Sequence, residues 1–237
     1  MPEGGYGGLV RRFGEGAEER FLRHLGFHTA AFTFDAPEAH DRIGDRFCLT
    51  ESTGRQIGFY RLCDGQVAVF TVHRTPDPTL PPDPRAALLR HYDGLGWITP
   101  QALDRCPAAD HVYYDQVAQI DLPSWSRGHV TLVGDACQAV SLLAGQGASL
   151  PIAGAYLLAQ RLDRDPTIET ALDHYEQSWR PVVADRQRTA RNAARWFVPH
   201  SAWQLHVRRA ALRATSLPAI NRYVGKALAG KPGTLPL

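Results

Sequence analysis

Between Gly128 and Leu150 the chain reads GHVTLVGDACQAVSLLAGQGASL, and two groups of residues in it can do chemistry. Gly134-Asp135 follows a short apolar run. The Asp135 carboxylate is therefore expected at the end of a buried strand, where it can accept hydrogen bonds from ligand hydroxyls. Further on, Gly145-Gln146-Gly147 opens an Ala- and Leu-rich helical stretch. Glycines at a helix start let a ligand reach main-chain amides, and the helix dipole favours negative charge at that end. Strand, acid, glycine turn and helix start together suit a nucleotide or flavin lying against the backbone. A reduced isoalloxazine ring, with its negative charge near N1 and O2, fits that geometry.

Composition bounds the alternatives. The 237 residues carry 44% hydrophobic and 21% charged side chains, ordinary values for a globular chain with a real core. A formal charge of +2 implies no polyanion partner, so no nucleic acid is expected. The ten histidines have no metal-ligand spacing, and Cys48, Cys63, Cys106 and Cys137 form no C-x-x-C pair. That argues against a metal site or a disulfide framework and fits the cytoplasm. No apolar run is long enough for a membrane span.

The elements that must position these residues follow from periodicity. A short helix is expected around Glu18–Leu25. From Phe27, FHTAAFTF, RFCLTE, RQIGFYRL and QVAVFTVHR alternate as strands, with turns at Ser52–Gly54 and Cys63–Gly65. The second turn reads as a hairpin, and the whole as an antiparallel sheet with one face buried. Thr75–Pro84 is a proline-dense loop whose last Asp-Pro starts an amphipathic helix. HVYYDQVAQIDL returns to strand alternation. Helices are expected over Ala148–Leu162, then from Asp165-Pro166 with an interruption at Pro181, and over Ser201–Ala214. Strands first and helices last make the fold class α+β.

The stretch Trp125–Leu162, with Gly-Asp-Ala-Cys, a short loop, Gly-Gln-Gly and an Ala-rich helix, resembles the FAD-dependent class A monooxygenases, the para-hydroxybenzoate hydroxylase-like aromatic hydroxylases. The likeness extends more weakly to the strands of Phe27–Leu122 and to the late helices in YEQSWRPVVADRQRTARNAARWFVP. It implies that Asp135 contacts the ribityl or pyrophosphate part of FAD. It also implies that Gly145, Gln146, Gly147 and Ala148 line the pyrimidine edge, with Gly134, Ala136 and Ala144 beside them. FAD and NADPH or NADH would be the cofactors, and an aromatic or polyketide-like molecule would be hydroxylated. The flavin would carry the oxygen chemistry, so no protein nucleophile is named.

Four departures accompany this resemblance. Gln138 stands where many members have His, and Ser141-Leu142 carries no proline. The G-x-G-x-x-G fingerprint is absent, and the middle motif is reduced to GGYGGLVRR, with Gly5, Val10 and Arg11 in place. The expected division is a linker remnant at 1–26, a substrate-binding sheet at 27–122, the second FAD segment at 123–165 and a helical region at 166–237. The Rossmann half is then expected outside this chain, on another polypeptide or lost. A flavin-free module for hydrophobic ligands and an inactive remnant are the alternatives.

Elsewhere, ordinary readings hold. His28 and His73 are sheet residues, and Tyr113 and Tyr114 put one ring in the core and one outside. Arg186, Arg188, Arg191 and Arg195, with Arg208 and Arg209, form a solvated helix face. Cys137 is a small packing residue.

Overall fold

The computed structural model describes residues 21–141 and 148–215, without the side chains of 195, 196 and 211–215. The Gly5–Arg11 remnant and Ala144–Gly147 lie outside those residues.

Alternation of apolar and polar residues builds one five-stranded antiparallel sheet. Its strands are β1 (Leu22–Asp35), β2 (Cys48–Ser52), β3 (Arg55–Arg61), β4 (Gln66–Arg74) and β5 (Tyr113–Ile120), in the order β2-β3-β4-β1-β5. The expected helix around Glu18–Leu25 is not formed in its described part: Leu22–Leu25 already belong to β1. Pairing outweighs local helix propensity here, because Leu22 to His24 lie opposite Ile120 to Ala118. A bulge then separates His24 from His28, and Gly26 sits in it with φ 84.

One face of the sheet presents Ala30, Phe32, Phe34, Ile57, Phe59, Val67 and Val69 to a core. It is closed by α1 (Pro37–Ile43), α2 (Pro84–Tyr92) and α3 (Thr99–Asp104), which contribute Ala39, Ile43, Leu88, Tyr92 and Ala102. The α2 start is as expected: Asp83 caps it by accepting from the Ala86 amide at 2.9 Å, with Pro84 in the first turn. The opposite face is covered at one end only, where Phe27, Val72 and Val117 meet Ala194 and Val198.

After β5 comes a small ribbon, β6 (Ser126–Arg127) and β7 (Val130–Thr131), turned by Gly128 at φ 58. The expected buried strand through HVTLV is thus corrected. Only two residues are strand, and Val130 is 57% exposed. A buried strand needs cover on both faces, and among the described residues β7 has β6 as its sole strand neighbour.

The chain then forms α4 (Asp135–Gln138), α5 (Ser149–Arg164), α6 (Ile168–Phe197) and α7 (Ala202–Thr215). Pro181 does not interrupt α6, which runs unbroken for 30 residues. Proline removes one hydrogen bond, to the Gln177 carbonyl, at a cost of about 3 kcal/mol. Burial of Tyr175, Trp179 and Val183 on the inner side of α6 offsets that loss. The helix begins after Thr167, whose hydroxyl accepts from the Thr170 amide at 3.2 Å, and not at Asp165-Pro166.

Candidate functional site

The Gly-Asp turn is built by main-chain constraint. Gly134 has φ 75 and ψ −152 and serves as N-cap of α4. Its carbonyl accepts from the amides of Cys137 at 3.1 Å and Gln138 at 2.8 Å. A φ in this range favours glycine, while a Cβ there would have room, its nearest atom being Pro151 Cβ at 4.0 Å. That same proximity sets the turn against the first turn of α5. Asp135 is exposed and Ala136 half-buried.

Ala148 precedes α5, and no side-chain hydrogen bond caps that helix start. Alanine has no side-chain acceptor to cap a helix, and the dipole makes this end of α5 electropositive. Of the sequence-predicted site residues, the structure brings Gly134, Asp135 and Ala136 beside the start of α5 at Ala148. Gly145, Gln146 and Gly147, with Ala144, lie outside the described residues.

The residues next to this turn face inward. Gln138 is 1% exposed and donates to the Tyr175 hydroxyl at 2.6 Å. Gly154 of α5 lets the helix approach: a Cβ there would fall 2.6 Å from Gln138 Nε2 and 2.7 Å from Trp179 Nε1. Gln138 is thus packing between α5 and α6. Cys137 is buried, its Sγ 3.3 Å from the Leu132 carbonyl, and burial pushes its thiol up to about 12. A thiol so protonated is inert at neutral pH.

Sequence reading missed the device that aims the segment leaving α4. Gln187 of α6 donates to the carbonyls of Ile120 and Ala139, each at 2.9 Å. Gln119 of β5 donates to the carbonyls of Val140 and Gln187, and Arg191 donates to Gln119 Oε1 at 2.7 Å. Arg191 is therefore half-buried and engaged, a correction to the solvated face expected for it. The available signal was Gln119 at a strand position whose alternation calls for an apolar residue. A second anchor fixes the ribbon: Glu176 accepts from the Trp125 amide at 2.8 Å and pairs with Arg180 at 3.1 Å.

The two tyrosines divide as expected. Tyr113 is 53% exposed, while Tyr114 packs against the core and bonds His73. Register places Gly58, Phe70, Ala31 and Tyr113 in one row across β3, β4, β1 and β5, on the partly open face. Among the described residues, no group of His, Cys, Asp or Glu is arranged to hold a metal. Nor is any described helix long and apolar enough to cross a membrane.

No protein-family model matches the chain. An FAD-dependent monooxygenase of Sarocladium schorii is 23% identical over 234 residues, covering 88% of this chain and 54% of its own length. A flavin-dependent monooxygenase from an unknown prokaryotic organism is 37% identical over 98 residues, 41% of this chain and 25% of its own length. Among solved structures, HpxO of Klebsiella pneumoniae complexed with FAD and uric acid matches the fold with a TM-score of 0.69 at 22% identity. That match covers 90% of this chain and 55% of the HpxO chain. The chain thus spans about half the length, or less, of these relatives.

The residues present fit such a group. An exposed carboxylate beside a positive-φ glycine offers acceptors to hydroxyls such as those of a ribityl chain, and the dipole at the start of α5 favours negative charge.

Proposed function

This chain is a class A FAD-monooxygenase-like protein by sequence and fold, and from that premise we propose that it supplies the flavin-facing and substrate-facing half of an FAD-dependent monooxygenase. The single observation carrying this reading is the Gly134-Asp135 turn packed on Pro151, in the first turn of α5. Asp135 would contact the ribityl or pyrophosphate part of FAD, and Gly145, Gln146, Gly147 and Ala148 would line the pyrimidine edge. FAD, when bound, would supply the redox and oxygen chemistry, with NADPH or NADH as the electron source.

The substrate reading rests on the row Gly58, Phe70, Ala31 and Tyr113. Phe70 and Tyr113 with Ala31 between them make a wall on which a planar aromatic or polyketide-like molecule can stack. In this reading residues 27–122 form the substrate-binding sheet, 123–165 the second FAD segment and 166–237 a helical buttress.

A dinucleotide-binding half is the partner this reading requires. The helix α5 supports it: Leu150, Gly154 and Leu157 are buried, while Ile152, Ala155, Tyr156 and Ala159 are exposed on the opposite side. A helix apolar on both sides suits cover from two directions. Four free cysteines fit a reducing, cytoplasmic setting.

The test is flavin titration of the chain alone and with a dinucleotide-binding half from a related monooxygenase, fused or added. Flavin retention with the added half, followed by NAD(P)H oxidation on addition of aromatic substrates, is the expected outcome. No flavin retention in either form would overturn the reading.

A further inference from the structure

We propose that His28, His73 and His91, together with Tyr92 and Tyr114, form an acid-sensitive latch that keeps α2 closed on the sheet at neutral pH and lets it open more often in mildly acidic solution. The latch lies on the helix-covered face and is independent of the flavin reading.

Its parts come from four elements. His28 stands on β1, His73 on β4, Tyr114 on β5, and His91 and Tyr92 at the end of α2. His28 and His73 are 4% and 3% exposed and lie opposite one another in the β1–β4 register. The His73 ring stacks on His91 with centroids 3.9 Å apart and planes inclined by 21°. Its Nδ1 is 3.2 Å from the Tyr92 hydroxyl and its Nε2 is 3.3 Å from the Tyr114 hydroxyl. His28 meets both His73 and Tyr114 edge-on at 5.7 Å, and His24 meets His28 at the same separation.

A neutral imidazole has one N–H and one bare nitrogen. One tyrosine hydroxyl must therefore donate to His73 while the other accepts from it. A second proton on His73 turns both nitrogens into donors, so both hydroxyls must accept. The one that had donated must turn its hydrogen elsewhere in a buried site, while a cation is set against the stacked His91 ring. The charged surroundings give little relief. Arg55 donates to the His91 carbonyl, and Arg90 adjoins it in sequence. The carboxylate acting on this cluster is that of Asp77, which with the Pro78 carbonyl favours charge on His28 but does not reach His73.

The titration behaviour agrees. Burial, then the neighbouring His91 and His28, holds His73 down at about 3. Burial also lowers His28 and His91. Burial raises Tyr92 and pushes Tyr114 up to about 12, so neither provides a phenolate to balance an imidazolium.

These groups have depressed values when the latch is closed and ordinary values, about 6.5, when it is open. The open form therefore takes up protons below about pH 6.5, and closure is fully favoured only above that. For His73 alone, going from pH 7.5 to 5.5 multiplies the opening constant by roughly tenfold, and each further histidine kept neutral multiplies it again. Opening exposes the buried Ala87, Leu88 and Tyr92 and is therefore a rare excursion, whose frequency the histidines modulate. An exposed proline-rich stretch precedes α2, and Gly94 with φ 76 follows it.

Amide hydrogen exchange at pH 7.5 and 5.5, corrected for the intrinsic pH dependence of exchange, tests this. The expected result is a gain of about tenfold or more in the opening of α2, with the β1–β4 ladder unchanged. In the double variant His73→Gln with His91→Phe, which removes both titrating rings but leaves a polar amide near the hydroxyls and an aromatic ring at 91, the pH effect should shrink several-fold or more. Equal α2 exchange at both pH values, a uniform gain across the whole chain, or an unaltered pH effect in the variant would each overturn the proposal. If the variant does not fold, the wild-type His73 NMR titration decides. A midpoint near 6.5 overturns the latch, and no titration down to pH 5 supports it.

Discussion

Gln119 in β5 donates its side-chain amide to the main-chain carbonyl of Gln187 in α6 at 3.0 Å, and Gln187 in turn donates to the carbonyl of Ile120, the residue after Gln119. The two side chains knit sheet, long helix and the segment leaving α4 into one buried polar network. Every hydrogen on the two amide nitrogens is used, since each nitrogen has two carbonyl partners. Networks of this kind fix position because partial satisfaction is costly. Gln187→Leu leaves the Ala139 and Ile120 carbonyls without these donors. It should lower stability by about 2–3 kcal/mol in urea unfolding, at an unchanged m-value. An effect within experimental error would mean that solvent replaces the clamp.

The two glycines of the site region are needed for opposite reasons, and paired substitutions separate them. At Gly134 the obstacle is backbone conformation, φ 75 with open space around a Cβ. Gly134→Ala should cost about 1–2 kcal/mol. At Gly154 the obstacle is volume, because a Cβ would overlap the Gln138 amide and Trp179 Nε1. Gly154→Ala should cost about 1–3 kcal/mol through overpacking, with the Gln138–Tyr175 bond displaced. Gly134→Asn is the discriminating control. Asparagine tolerates positive φ, so it should recover part of the loss in a thermal melt if strain is the cause.

Strand alternation made β2, β3 and β4 readable, and Asp83-Pro84 marked the start of α2, because those signals are local. Gly134-Asp135 stood out in the sequence for the same local reason, but the buried strand expected before it does not form. Three features were not readable. The early part of β1 is strand only because Leu22 to His24 pair with residues far along the chain. Pro181 is carried through α6 by the burial of Trp179 and Val183, which no window around the proline records. Arg191 looked like one more surface arginine until β5 placed Gln119 beside it. Each miss is a long-range partner overriding a local propensity.

Asp135 is exposed, so its removal should leave folding intact and act on ligand alone. A hydrogen bond to a charged group contributes about 1.5–3 kcal/mol, which is roughly a ten- to hundredfold change in affinity. Asp135→Ala should weaken flavin binding by that factor, measured by flavin fluorescence with the dinucleotide-binding half supplied. Asp135→Asn, which keeps one acceptor oxygen, should fall between. Unchanged affinity in both variants would remove Asp135 from the flavin contacts without touching the fold assignment.

Pro181 offers a prediction in the stabilising direction. Its ring leaves the Gln177 carbonyl without an intrahelical donor inside a 30-residue helix. Pro181→Ala restores that bond and removes the steric conflict one turn back. Proline, however, also restricts the unfolded chain, which returns about 0.4–1 kcal/mol to the wild type. The net expectation is a gain of about 2–2.5 kcal/mol, seen as a higher urea midpoint. The substitution also bears on the groove formed by Pro123, Ser124, Glu176, Gln177 and Pro181. Any adjustment of α6 there should alter the Glu176 contacts that hold Trp125, detectable as a change in tryptophan fluorescence. A loss of stability instead would show that a bend at Pro181 is what lets Tyr175 and Trp179 on one side of it, and Gln187 and Arg191 on the other, reach the same core.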